Sequence, residues 1–357
     1  MTSKPIRIGI AGTGLAGDIH VRALKQLSGA EVVGACASSQ ASSQKFAQKY
    51  QLENSYGSWQ DLIEDVSIDV IHNCLPNTLH FEVTKAALES GKHVLADKPL
   101  AIGSEQSRQL LELAKQKQLI HGLCSNYRCL PMVRQAKAWI IEGKIGKLLY
   151  ARGHYLQSYN LKALTQPWKA DASMIGPSYV TADLGHHWLD LLYFLSGKHV
   201  KVARAEFDRL AHCPPSVENQ AYVQLQLEDG VKAQALFSKV AAGHHNSLVI
   251  EVGGDQGMLR WDQTAQDDLV YADADGHVTT ITRGTTSLAE TVGLPPKHHG
   301  GWVDGFINLF ESFYRGVREG QPNDQYPSFE DGHRLHCLID ALVESNAKNK
   351  AITLDGE

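Results

Sequence analysis

Along the first third of the chain, short β-branched runs alternate with longer stretches whose apolar residues recur at helical spacing. That alternation predicts a parallel sheet with helices packed on its faces. Strands are expected over 6–11, 31–36, 69–75, 92–96 and 119–124, and helices near 18–27, 41–50, 78–90 and 104–117. After about residue 125 the pattern changes. A helix near 131–142 ends at Gly143, and 148–157 reads as a long strand. From Tyr222, polar and apolar residues alternate up to Asp229-Gly230 and resume over 231–238, a hairpin whose turn dipeptide suits positive φ. A second strand pair is expected at 247–252 and 257–261, across Gly253-Gly254-Asp255.

A chain of 357 residues favours two domains. With 43% hydrophobic and 20% charged residues it is globular rather than disordered. The net charge of -5 is dispersed and no Lys/Arg stripe forms, so no nucleic-acid partner is expected and a small molecule fits better. The six cysteines are scattered without CxxC spacing, so they are expected to be reduced and no metal is assigned. The polar lead 1–5 and the short apolar run behind it suit neither a signal segment nor a membrane span, which predicts a cytoplasmic protein without a membrane partner.

Gly12-Thr13-Gly14-Leu15-Ala16-Gly17 places GxGxxG after the first strand and at the mouth of a helix. In that setting the first glycine permits the tight turn, the second lets backbone approach a pyrophosphate, and the third allows helix to pack on strand. The helix N-terminus adds unpaired N–H groups for the phosphates. The fold class is therefore α/β: an N-terminal Rossmann dinucleotide-binding domain over 1–125 and a C-terminal α+β domain, with a mostly antiparallel sheet, over 126–357. An acid about 20 residues beyond the loop would hold the ribose 2'-hydroxyl of NAD. Here Ala37 stands in that place, followed by Ser38 and Ser39, which could hydrogen-bond a 2'-phosphate. The cofactor reading is NAD(P), leaning to NADP.

Two further motifs come after expected strand ends, where open α/β sheets bind ligands: Cys74-Leu75-Pro76-Asn77-Thr78-Leu79-His80 and Ala96-Asp97-Lys98-Pro99. Together with the glycine loop, the chain resembles the Gfo/Idh/MocA (glucose-fructose oxidoreductase, inositol dehydrogenase and MocA-like) family over nearly its whole length. That family carries Glu-Lys-Pro where this chain has Asp97-Lys98-Pro99. The resemblance implies that Leu75, Pro76, Asn77, His80 and Asp97 line the cofactor, and that Lys98 sits beside the nicotinamide and acts on the substrate oxygen.

The block Asp183-Leu184-Gly185-His186-His187-Trp188-Leu189-Asp190 is predicted to be helical. At about 100° per residue, Asp183, His187 and Asp190 share a sector of about 60°, with Trp188, Leu189 and Leu192 opposite. A polar wedge on an apolar helix faces water, a ligand or a partner. In the family this stretch reads Asp-x-Gly-x-His-x-x-Asp, which aligns His187 with the catalytic histidine and Asp183 with its supporting, substrate-contacting acid. Imidazole near its ordinary pKa can take and return a hydroxyl proton.

The resemblance also touches Arg128, with a cleft brace and a surface salt bridge as alternatives. Trp168-Lys169 stands where relatives have Trp-Arg near cofactor and substrate, and lysine lacks the planar fork of arginine. His298, in a His-x-x-Gly-Trp segment, is expected in the substrate pocket, and Tyr155 and Gln157 could meet hydroxyls. The implied activity is hydride exchange with a sugar or polyol, and the implied assembly is a homodimer or homotetramer. Competing readings are a hydrolase or lyase with transient substrate oxidation, a non-catalytic NAD(P) sensor, and a metal enzyme using the paired histidines. The sensor reading fits poorly with retention of both Lys98 and His187.

Overall fold

The 6–11 run forms the first strand of the computed structural model, which describes residues 4–162, 171–213, 216–285 and 298–354. In chain order come β1 (Ile6–Ala11), α1 (Leu15–Leu24), β2 (Ala30–Cys36), α2 (Gln40–Tyr50), β3 (Asn54–Tyr56) and α3 (Trp59–Glu64). They continue as β4 (Val70–Asn73), α4 (Asn77–Glu89), β5 (His93–Ala96), α5 (Ser104–Lys117) and β6 (His121–Leu123). Next are α6 (Pro131–Ile141), β7 (Leu148–Leu156), α7 (Ala172–Ile175), α8 (His186–Ser196), β8 (Val200–Asp208), β9 (Gln220–Leu227) and β10 (Lys232–Ser238). The remaining elements are β11 (Ser247–Gly254), β12 (Gly257–Asp262), β13 (Asp268–Asp273), β14 (Val278–Thr282), α9 (Val303–Glu319), α10 (Phe329–Lys348) and β15 (Ile352–Thr353).

The chain divides into two compact units. One comprises the residues up to Cys129 together with Trp302–His333, and the other Leu130–Gly301 with Arg334 onward. The division differs from two contiguous segments meeting at 125/126, because α9 returns to the first unit. The reason is its apolar face: Phe306, Phe310, Phe313 and Tyr314 are buried in one cluster with Ile8, Ile10 and Leu24.

In the first unit six strands run parallel in the order β3-β2-β1-β4-β5-β6. This is the Rossmann order, and its switch point lies between β1 and β4. Helices cover both faces, so β4 is buried throughout. The hydroxyls of Ser39 and Ser58 cap α2 and α3 by accepting the N–H of Ser42 and Asp61. β3 and α3 add a short strand and helix to the elements expected from the sequence.

In the second unit nine strands form one sheet in the order β14-β13-β12-β11-β7-β10-β9-β8-β15. Every neighbouring pair is antiparallel except β7 with β10. Asp229 and Gly230 join β9 to β10 at φ 60° and 79°, the left-handed turn that the Asp-Gly dipeptide predicts. α8 packs on one face, where Trp188 Nε1 donates to Val249 O at 3.1 Å. On the other face Arg152, His154, Tyr222, Gln224, Gln234 and Arg260 line an open groove of about 420 Å³. Among the described residues, no helix is long and apolar enough to cross a membrane.

Candidate active site

At the carboxyl edge of the first sheet, Gly12 leaves β1 at φ 101°, and a Cβ there would lie 2.5 Å from Cys74 O. A Cβ on Gly17 would lie 2.1 Å from Gly12 O. A side chain at either position would collide with backbone. Gly14 differs: no atom lies within 4 Å of where its Cβ would project. It precedes α1 and provides no side-chain cap for the helix's first N–H groups. Thr13, Leu15 and Ala16 complete the rim, with Leu15 exposed. Open space in front of an uncapped helix N-terminus fits a dinucleotide pyrophosphate.

The neighbouring strand ends meet the loop through backbone. Cys74 N donates to Ala11 O at 2.7 Å, and Asp97 N donates to Asn73 O at 2.8 Å. Asp97 Oδ1 accepts the N–H of Lys98 at 2.8 Å, and both side chains are partly buried. Leu75 and Asn77 are partly exposed beside the exposed Pro76. His80 is placed differently from the expectation of an open cofactor contact. Its ring is buried with Nε2 2.7 Å from Leu75 O and Nδ1 2.5 Å from Pro99 O, so it ties the two motifs together. Arg128 is also buried, with Nη1 3.4 Å from Asp331 Oδ1, rather than lying in a surface bridge. At the end of β2, Ser39 is committed to capping α2, and Ser38 is exposed.

In the second unit, Thr181–Gly185 wind as a π-helix before α8 begins. An even α-helical projection from 183 to 190 therefore does not hold: the wide turn resets the angle of Asp183 relative to His187 and Asp190. The buried Glu218 carboxylate secures this entry, with Oε1 accepting Ser178 Oγ at 2.7 Å and the N–H of Thr181 at 3.0 Å. Gly185 sits where a Cβ would come within 2.8 Å of Phe237. Of the predicted polar wedge, His187 and Asp190 are buried, as is His186, while the Asp183 side chain stays 42% exposed.

Lys239, just past β10, is the residue that sequence reasoning missed. It is buried at 4% exposure, and its Nζ donates to Asp183 Oδ2 at 2.6 Å and lies 4.0 Å from the centre of the Tyr179 ring. Burial opposes its charge, but Asp183 and Tyr179 outweigh that cost and raise its pKa, so it stays an ammonium. The available signal was a lysine closing an alternating strand at its carboxyl end. Tyr155, also buried, has its ring 6.0 Å from that of His187 and donates its hydroxyl to Asn246 Oδ1 at 3.2 Å. Gln157 reaches the same Asn246 oxygen at 2.5 Å. Among the described residues, the side-chain oxygen of Gln157, both polar atoms of Asn160 and the Thr181 hydroxyl are buried without partners. Asn160 N donates to Lys239 O at 2.8 Å, and Gln157 N to the neighbouring Ser238 O at 2.7 Å.

The second unit thus pairs His187 with Tyr155, and Asp183 with Lys239. His298 is exposed on a loop, its carbonyl accepting from Arg283. Trp168 and Lys169 lie outside the described residues.

Comparison with known proteins bears on both units. Residues 6–124 match the model of an oxidoreductase family with an NAD-binding Rossmann fold. Residues 133–260 match the GFO/IDH/MocA C-terminal domain. The chain is 28% identical to levoglucosan dehydrogenase of Pseudarthrobacter phenanthrenivorans over 330 residues, covering 85% of this chain and 84% of that protein. It is 25% identical to glucose-6-phosphate 3-dehydrogenase of Bacillus subtilis over 361 residues, covering 98% of each. A solved structure of levoglucosan dehydrogenase in complex with NADH and levoglucosan superposes with a TM-score of 0.92 at 26% identity, covering 99% of this chain and 100% of that one.

Proposed function

Because the chain belongs to the GFO/IDH/MocA family of NAD-binding oxidoreductases, we propose that it moves hydride between a nicotinamide cofactor and a hydroxyl-bearing carbon of a sugar or polyol. The bound nicotinamide supplies the hydride acceptor or donor. In the oxidising direction His187 takes the hydroxyl proton, and in reduction it returns it. The Lys98 ammonium holds the substrate oxygen and stabilises negative charge developing on it. Lys239, whose Nζ donates to Asp183 Oδ2, holds that carboxylate in place to bind the substrate's hydroxyls.

The observation that carries this reading is the set of buried polar atoms without partners on Gln157, Asn160 and Thr181, in the same unit as Asp183, His187 and Lys239. Buried polar groups without partners are costly, and a polyhydroxylated ligand can satisfy several at once. Sugar and polyol substrates also agree with the relatives named above. At the adenosine end, the absence of a carboxylate after β2 leaves room for a 2'-phosphate, so NADP is accepted beside NAD and modestly favoured. The open groove of the second sheet suits face-to-face pairing of two copies, giving a homodimer or homotetramer.

A panel of sugars and polyols offered with NAD and with NADP tests the reading. The expected result is a sustained, stoichiometric change in nicotinamide absorbance with at least one substrate. Turnover of a substrate without that change would replace it with a cycle of transient oxidation.

A further inference from the structure

Beneath the glycine loop lies a cluster that the proposed hydride chemistry does not use. His20 of α1 is fully buried, with its Nε2 3.5 Å from Cys124 Sγ just past β6. Ligand atoms of His20, Cys124 and Asp97 lie within 4.8 Å of one another. Asp97 Oδ1 accepts the N–H of Lys98 at 2.8 Å, and the carboxylate is partly buried. We infer that these three side chains form a site for one zinc-class divalent cation, held by His20 Nε2, Cys124 Sγ and the Asp97 carboxylate, with a fourth position open.

The distances suit such an ion. Zinc bonds of about 2.0 Å to nitrogen and about 2.3 Å to sulfur, at a tetrahedral angle, separate the two ligand atoms by about 3.5 Å. A ligand set of imidazole, thiolate and carboxylate selects zinc-like ions over magnesium or calcium, which take oxygen alone. Behind the ring, His20 Nδ1 lies 2.9 Å from His72 Nδ1, whose Nε2 lies 2.5 Å from the hydroxyl of Tyr314. A proton on His20 Nδ1, donated to His72, leaves the Nε2 lone pair for the metal, the outer-shell arrangement usual for a metal-binding histidine. Phe306 and Phe310 pack against the His20 ring and keep the cluster dry.

Charge also balances. When the ion binds, the Cys124 S–H bond is replaced by a metal–sulfur bond and its proton passes to solvent. One thiolate and one carboxylate then neutralise the divalent charge, so no net charge is buried. Cys74 Sγ lies 3.2 Å from His20 Nδ1, the other side of the ring, and is not a ligand. Cysteine spacing did not reveal the site because its ligands come from three separate elements.

The test is titration of the chelator-treated full chain with Co²⁺, then with Zn²⁺ in competition with a chromogenic chelator. One equivalent of Co²⁺ is expected to give a sulfur-to-cobalt charge-transfer band. Cys124→Ala should abolish the band and weaken zinc binding at least 100-fold, while Cys74→Ala keeps both. No band, a band that survives in Cys124→Ala, or equal loss in Cys74→Ala would overturn the site. If Cys124→Ala does not fold, Asp97→Asn decides: the band should persist with at least tenfold weaker zinc affinity, and unchanged affinity overturns the assignment.

Discussion

The two sheets use their residues in different ways. In the first, helices consume both faces, and a strand such as Val70–Asn73 is buried at every position. The cofactor role proposed for this unit falls to the groups beyond the strand ends: glycines, backbone N–H groups and the short motifs at 75–77 and 97–98. In the second sheet, β9 alternates buried and exposed residues, so one face serves the core and the other stays open. The side chains proposed for the chemistry, Tyr155 and Lys239, stand buried near its strand ends. A parallel sheet offers a dinucleotide its backbone. An antiparallel one leaves side chains for the proposed substrate.

Substitutions in the glycine loop should separate fold from binding most sharply. Gly17→Ala forces a Cβ to within 2.1 Å of Gly12 O, so it is expected to lower the melting temperature and weaken cofactor binding at least 100-fold. Gly14→Ala meets no protein atom within 4 Å, so stability should hold while cofactor affinity falls at least tenfold. NADH fluorescence titration beside thermal melts would distinguish them. Equal stability loss in both would remove the distinction between packing and cradle glycines.

Acid should act on the first unit through His121, where burial pushes the pKa down to about 4 and Nδ1 accepts the Phe329 N–H at 3.1 Å. The unfolded imidazole titrates near about 6.5, so the unfolded state binds the extra proton between those values. Stability is therefore full above about pH 6.5 and falls toward pH 4, by about 3 kcal/mol from this residue. Urea unfolding at pH 7 and pH 4.5 should show the loss, with a shallower slope in His121→Gln. An equal slope in that variant would assign the loss elsewhere.

In the second unit, Lys239→Met leaves Asp183 without its ammonium partner at 2.6 Å. The expected cost is a tenfold to 100-fold fall in kcat/KM with cofactor affinity unchanged. Wild-type kinetics in this variant would reduce the lysine to packing. The smallest effect belongs to Ala37→Asp, which should shift the ratio of kcat/KM for NADP over NAD by about tenfold toward NAD, measured with one substrate.

Much of this was legible in the sequence because it depends on local pattern. The strand at 6–11, the glycine loop and the Asp229-Gly230 turn are each set by their immediate neighbours, and each falls where the pattern places it. The elements that pattern missed include the short β3 and α3, the partly polar strands β8, β13 and β14, and the 17-residue helix α9. Other features depend on contacts distant in sequence. The return of α9 to the first unit is driven by its aromatic face meeting β1 and α1. The π-turn at Thr181–Gly185 is secured by Glu218, and the role of Lys239 appears only once β10 brings it to Asp183. His80 illustrates the converse: it stands in a legible motif, but its ring bonds backbone instead of facing a ligand.

The central claim is that the first unit holds the cofactor while His187 of the second moves the proton. It is tested most directly by measuring the NADH dissociation constant and kcat of His187→Ala beside the wild type, on a substrate found in the panel. The account predicts affinity within twofold of wild type and a fall in kcat of about 100-fold or more. Near-normal turnover, or a loss of affinity as large as the loss of turnover, would contradict it.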